Sequence, residues 1–124
     1  MTDTPKKILI VEDSKSYLFI ISETLRQAGF VVTTAADGEE GLKAAESEKP
    51  DLILSDITMP KLDGIAMSKK LKEGGNIIPI IFLTNMSDLA HVGDALQTAK
   101  DYIVKADTSA DDIVVRVKER LGIK

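Results

Sequence analysis

Four short stretches of the sequence offer side chains with chemistry to perform, and each follows an apolar run. Glu12-Asp13 follows Ile8-Leu9-Ile10-Val11, Asp56 follows Leu52-Ile53-Leu54-Ser55, Thr84 follows Phe82-Leu83, and Lys105 follows Tyr102-Ile103-Val104. Gathered in one place, they would set three carboxylates beside a hydroxyl and an ammonium. Carboxylates so crowded repel, and without a cation one of them tends to hold a proton. A hard dication relieves that repulsion, and Mg²⁺ suits a site with few protein carboxylates and several retained waters. An ionised Asp56 is then a competent nucleophile toward phosphorus, forming an acyl phosphate. The metal and Lys105 would neutralise charge on the phosphoryl oxygens during transfer, and Thr84 could donate a hydrogen bond to the attached group.

Taken singly, each residue has a plainer reading. Asp13 before Ser14 suits a helix cap, and Asp56 before Ile57-Thr58-Met59-Pro60 suits a turn. Thr84 reads as a strand-end or cap residue and Lys105 as a solvated charge. The chemical reading rests on their falling at four strand ends that one fold would make neighbours.

The elements that must position them alternate. Ile8–Val11 is a continuous apolar run, as in a strand buried on both faces. Tyr17, Ile20, Ile21, Leu25 and Ala28 recur at helical spacing, and Gly29 supplies a stop. Phe30–Thr34 reads as a second strand, Asp37-Gly38 as a turn, and Leu42 and Ala45 as the inner face of a helix ending by Pro50. The alternation continues with a strand at Leu52–Leu54 and a helix through Ile65, Met67 and Leu71 that stops near Gly74-Gly75. A strand at Pro79–Leu83, with Pro79 at its first position, precedes a helical stripe of Leu89, Val92 and Leu96. Tyr102–Val104 is the last strand, and Ile113, Val114, Val117 and Leu121 form a closing helix.

Five strands alternating with five helices predict an α/β fold: a doubly wound, five-stranded parallel sheet with helices on both faces, the flavodoxin-like (βα)5 arrangement. The common order is 2-1-3-4-5, which gathers the polar residues at the carboxyl edge of the sheet. Periodicity does not determine that order; it is a prior.

Composition bounds the function. A chain of 124 residues suits a single domain, 1–124, with a core of Ile, Leu, Val and Ala, since aromatics are only 4%. A net charge of −4 with scattered basic residues argues against direct nucleic-acid binding. No cysteine is present, which removes disulfides, thiolate chemistry and Cys-based zinc sites. No apolar run approaches a membrane span of ~20 residues, and residues 1–7 lack a signal region, so the expectation is a cytoplasmic protein away from membranes.

The motifs Ile8–Asp13 with Ser14, Asp51–Pro60 with Asp63-Gly64, Thr84 after Phe82-Leu83, and Tyr102–Lys105 together resemble the receiver domain of bacterial response regulators, of the stand-alone chemotaxis-regulator type. The resemblance covers Lys6 to about Leu121. It implies a two-component response regulator phosphorylated on Asp56, with Mg²⁺ held directly by Asp13 and Asp56, through water by Glu12 and through the backbone carbonyl of Thr58. Lys105 would pair with the phosphoryl group, and Thr84 would shift inward to hydrogen-bond it. Tyr102 would follow as the second switch residue, altering the face made by the fourth helix, fifth strand and fifth helix. The donor would be a phosphohistidine on a histidine kinase or phosphotransfer protein, and the output a downstream protein target. The domain would be a monomer or weak dimer, and would be no enzyme beyond self-catalysed phosphoryl transfer and autodephosphorylation.

The sequence departs from the family pattern in places. Ala106 stands where Pro is common after the active-site Lys, and a retained cis bond between Lys105 and Ala106 is expected, so that the lysine still points at the phosphate. Asn85 stands where a small residue usually follows the Thr, and is expected to restrict access. Thr98 precedes Ala99 where Gly is common. Other classes remain. A receiver-like module that works without phosphate is disfavoured by the intact site set. An aspartyl-phosphate hydrolase of the haloacid-dehalogenase kind needs an Asp where Thr58 stands, and a flavodoxin needs a less acidic first loop than Glu12–Lys15. A DNA-binding output domain would need more chain after Leu121.

Overall fold

In a computed structural model of the chain, residues 4–59, 61–85 and 102–123 are described. The apolar runs become β1 (Lys7–Val11), β2 (Val31–Ala35), β3 (Leu52–Asp56), β4 (Ile80–Thr84) and β5 (Tyr102–Val104), all parallel in one sheet of order β2-β1-β3-β4-β5. Between them run α1 (Lys15–Gln27), α2 (Gly38–Glu48) and α3 (Gly64–Glu73), and α4 (Ala110–Leu121) closes the described chain. The expected stripe Leu89, Val92, Leu96 and the Thr98-Ala99 departure lie outside the described residues.

Strand alternation divides the core into two layers. Ile8, Ile10, Leu52, Leu54, Ile81, Leu83 and Ile103 pack with Ile21 and Leu25 of α1 and Ile113 and Val117 of α4. Leu9, Val11 and Ile53 face the other way, onto Ala45 of α2 and Met67 and Leu71 of α3. Helices on both faces therefore account for strands without polar alternation. The helix starts are set locally. Asp37, Asp63 and Ser109 accept hydrogen bonds from the N–H groups of Glu40, Ala66 and Asp112 at 2.8, 2.7 and 3.1 Å. Glu40 Oε2 also accepts from Ala36 N–H at 3.2 Å, tying the residue before the cap to the first turn of α2.

Several expectations need correction. Phe30 is not in β2: its N–H donates to Leu25 O at 3.1 Å, so it still belongs to the C-terminal cap of α1. Asp37-Gly38 is no turn but the N-cap and first residue of α2. Pro79, which has no N–H, stands just outside β4, though its carbonyl accepts from Ile53 N–H at 3.0 Å. The cis bond at Lys105-Ala106 is overturned: no cis peptide occurs among the described residues. Lys105–Asp107 forms a single 3₁₀ turn instead. Without proline, a cis bond costs about 3 kcal/mol, and the turn positions the lysine without it.

The loop after β3 is fastened from both sides. Ile57 N–H donates to Leu83 O at 3.2 Å, and Gly64 N–H donates to Ile57 O at 2.8 Å. Gly64 packs so closely that an added Cβ would collide with the Asp56 carbonyl and lie 3.0 Å from Ser55 Oγ. Gly64→Ala is therefore expected to lower stability by about 1–3 kcal/mol, read as a lower urea midpoint with an unchanged slope. An unchanged midpoint would show that the loop can move aside without cost.

Candidate functional site

The register of the sheet aligns the carboxyl ends of the strands. Val11 pairs with Ser55, Asp56 with Leu83, and Thr84 with Val104, so residues 12, 56, 84 and 105 emerge on one edge. Glu12, Asp56 and Thr84 are buried, while Asp13 and Thr58 are exposed. Carboxylate oxygens of Glu12, Asp13 and Asp56 lie within 4.8 Å of one another.

Lys105 is the ammonium at the centre. Its Nζ contacts Glu12 Oε1 and lies 3.3 Å from Asp56 Oδ2. The other oxygen of Glu12 and of Asp56 is held by backbone. Glu12 Oε2 accepts from Ser14 N–H at 3.1 Å, and Asp56 Oδ1 accepts from Ile57 N–H at 2.8 Å. Ser55 Oγ donates to the Asp56 carbonyl at 2.9 Å, fixing the strand end. Thr84 Oγ1 donates to Asn85 O at 2.9 Å, so in this state the hydroxyl is turned to its own chain. Asn85 is exposed beyond it.

Among the described residues, one ammonium stands among three acids. Burial pushes Asp56 up to about 7, with the Glu12 charge adding to the rise and Lys105 opposing it. Burial also acts on Glu12, but the Lys105 hydrogen bond, the Ser14 N–H and the Lys105 charge outweigh it and hold that carboxyl below its ordinary value. Desolvation and the adjacent Glu12 raise Asp13. Lys105 is depressed by burial, yet its hydrogen bond to Glu12 and the charges of Asp56 and Glu12 prevail and raise it. An all-oxygen donor set with surplus negative charge fits a hard dication such as Mg²⁺.

The structure thus brings together Glu12, Asp13, Asp56 and Lys105 and sets Thr84 at the same edge. Thr58 sits at the loop surface between buried Ile57 and Met59. Tyr102 lies at the start of β5, 38% exposed. One contact escaped the sequence analysis: Lys105 Nζ stands 4.6 Å from the centroid of the Tyr17 ring. Helical spacing marked Tyr17 only as a core position; its place in the first turn after the acidic loop was the available signal.

Comparison with known proteins agrees with this geometry. The family model described as response regulator receiver domain matches residues 8–118. The alkaline phosphatase synthesis transcriptional regulatory protein PhoP of Bacillus subtilis is 40% identical over 113 residues, 91% of this chain and 47% of that protein. The transcriptional regulatory protein PrrA of Mycobacterium tuberculosis is 37% identical over 119 residues, 95% of this chain and 51% of that one. The chain spans about half the length of such curated relatives. Among solved structures, the chemotaxis response regulator CheY4 of Vibrio cholerae superposes with a TM-score of 0.80 at 31% identity, covering 95% of this chain and 99% of that one. The receiver domain of Francisella response regulator 1452 gives 0.83 at 29%, covering 94% and 97%. No helix among the described residues is long and apolar enough to cross a membrane.

The raised Asp56 has a measurable consequence in protein stripped of divalent metal. The folded protein holds that proton more tightly than the unfolded chain does. The associated stability is therefore present in full below the ordinary value of 3.8 and is lost as pH rises through about 7. Glu12 works in the opposite sense, but only below its ordinary 4.5. Between pH 5 and 8, unfolding in EDTA should show wild type losing on the order of 1–3 kcal/mol relative to Asp56→Asn. Parallel curves for the two proteins would place the Asp56 proton elsewhere.

Proposed function

The chain belongs to the response regulator receiver family, and from that premise we propose that residues 1–124 act as one receiver domain that accepts a phosphoryl group on Asp56. Receiver domains pair with histidine kinases and are signalling proteins rather than enzymes in the ordinary sense. The observation that carries the proposal is the Lys105 ammonium shared between Glu12 and Asp56 at the carboxyl edge of the sheet.

The donor is a phosphohistidine on a kinase or phosphotransfer protein. The phosphorus–nitrogen bond breaks, a bond forms between phosphorus and an Asp56 carboxylate oxygen, and the imidazole leaves with the electron pair. Ile57 N–H and Lys105 each hold one oxygen of Asp56, so the carboxylate is oriented before the donor arrives. Lys105 then follows the charge onto the phosphoryl oxygens. Asp13, Asp56, Glu12 and the Thr58 carbonyl are the groups that would hold Mg²⁺. When bound, the ion supplies positive charge that keeps Asp56 ionised and the phosphoryl oxygens neutralised. Attack of water on phosphorus later returns the carboxylate and releases inorganic phosphate.

Thr84 would exchange its bond to the Asn85 carbonyl for one to the phosphoryl group, and Tyr102 would move with it. Both residues lie on the β4–β5 side of the sheet, so the signal would leave through the face around β5 and α4. The receiving partner is a protein. In a longer regulator of the kind named among the relatives, it would be an attached output domain, and contact with DNA would belong to that domain. We place this exchange in the cytoplasm, with the domain as a monomer or weak dimer.

Incubation with acetyl phosphate and Mg²⁺ should add the mass of one phosphate, lost in Asp56→Asn and in EDTA. Lys105→Ala should fold and gain that mass roughly 100-fold more slowly. A folded wild-type protein that gains no phosphate from acetyl phosphate or from sensor-kinase donors would overturn the proposal and favour a phosphate-independent module. Asn85, exposed at the rim, should limit entry: Asn85→Ala is expected to speed both uptake from acetyl phosphate and hydrolysis. Unchanged rates would remove it as a gate.

A further inference from the structure

We infer that Tyr17 is a positioning residue for Lys105, its ring face holding the ammonium against the Glu12–Asp56 pair; this deepens, and rests on, the phospho-acceptor reading above. Lys105 Nζ contacts Glu12 Oε1, lies 3.3 Å from Asp56 Oδ2, and stands 4.6 Å from the Tyr17 ring centroid. That separation is within cation–π range. A lysine ammonium is strongly hydrated and rides on a flexible stem, so its location depends on what surrounds it. Carboxylates alone would share it with water, because the Lys105 side chain remains 22% exposed. An aromatic face attracts the cation without offering an oxygen lone pair, which leaves the N–H donors for the carboxylates and for a phosphoryl group that later replaces them.

Tyr17 can do this because the first turn of α1 follows directly on the acidic loop. Ile21 and Leu25, further along the same helix, are buried in the core layer against which Tyr17 packs. Its hydroxyl is buried with no hydrogen-bond partner among the described residues, so packing rather than a hydrogen bond orients the ring. The ring face is therefore what this residue brings to the site. An ordinary core aromatic would fill the same space, and the two roles separate on electronic grounds.

The test uses the 124-residue chain with Tyr17→Phe, Tyr17→Leu, and progressively fluorinated phenylalanines at position 17, which keep the shape while removing and then reversing the negative ring face. Two readouts apply: hydrogen exchange of the Lys105 ammonium with water, followed by nitrogen NMR in metal-free protein, and the rate of phosphate gain from acetyl phosphate with Mg²⁺. Tyr17→Phe should match wild type within about twofold, whereas full fluorination and Tyr17→Leu should slow uptake roughly three- to tenfold and speed ammonium exchange. Fluorinated variants that behave as Tyr17→Phe in both readouts would overturn the inference and leave Tyr17 a packing residue. If wild type gains no phosphate, the phospho-acceptor reading fails. The ammonium exchange series then decides the Tyr17–Lys105 contact by itself, graded exchange upholding it and uniform exchange overturning it.

Discussion

The carboxyl edge of this sheet is arranged around one shortage: among the described residues, only the Lys105 ammonium pairs with the clustered carboxylates of Glu12, Asp13 and Asp56. Glu12 takes the larger share of it and is held ionised, while Asp56 is pushed up to about 7 by burial and by Glu12. The acid proposed to accept the phosphoryl group is therefore the one left short of positive charge. Surplus negative charge is what suits the cluster to a cation, and under the proposed function a phosphoryl group, bringing further anionic oxygens, would depend on that cation to enter.

The fold serves this shortage by making the strand ends rigid. Both faces of the sheet are covered, so Ile8 to Val11 and Leu52 to Leu54 are sealed from water and their ladder is continuous. The polar residues begin where the ladder stops. Backbone groups then finish the positioning, with Ser14 N–H on Glu12, Ile57 N–H on Asp56, and Gly64 clasped to the Ile57 carbonyl. Carboxylates tied in this way are oriented in advance, so under the proposed function they would need little rearrangement when a donor arrives.

Most of the fold was legible because its physics is local. Apolar runs without alternation and helical stripes gave the strands and helices, and the convergence of residues 12, 56, 84 and 105 followed once the strand order was assumed. Errors fell where hydrogen bonding, not hydrophobicity, decides the boundary. Phe30 is as apolar as its neighbours but is tied back to Leu25, and Asp37 reads as a turn until its side chain is seen capping Glu40. The cis bond expected at Lys105-Ala106 does not occur, because Ala106 lacks the proline ring that lowers its cost. Tyr17 was legible as a core position but not as a neighbour of Lys105, since the two are far apart in sequence and meet only through packing.

The same energies bound how the proposed switch can work. Moving a two-state equilibrium from 1:99 to 99:1 requires about 5.5 kcal/mol of differential interaction. Thr84 would trade a neutral hydrogen bond to the Asn85 carbonyl, worth about 1 kcal/mol net, for a charge-assisted one worth about 1.5–3. That exchange alone supplies roughly a thirtyfold bias at most, well short of the shift required. Lys105 must supply part of the remainder as it leaves Glu12 for the phosphoryl oxygens, and Glu12, buried and deprived of its partner, would oppose the move unless another cation compensates it. The free energy of the active state is thus divided among Thr84, Lys105 and whatever protein binds the altered face. A domain built this way would respond to phosphorylation with a shifted population, and its partner would complete the transition.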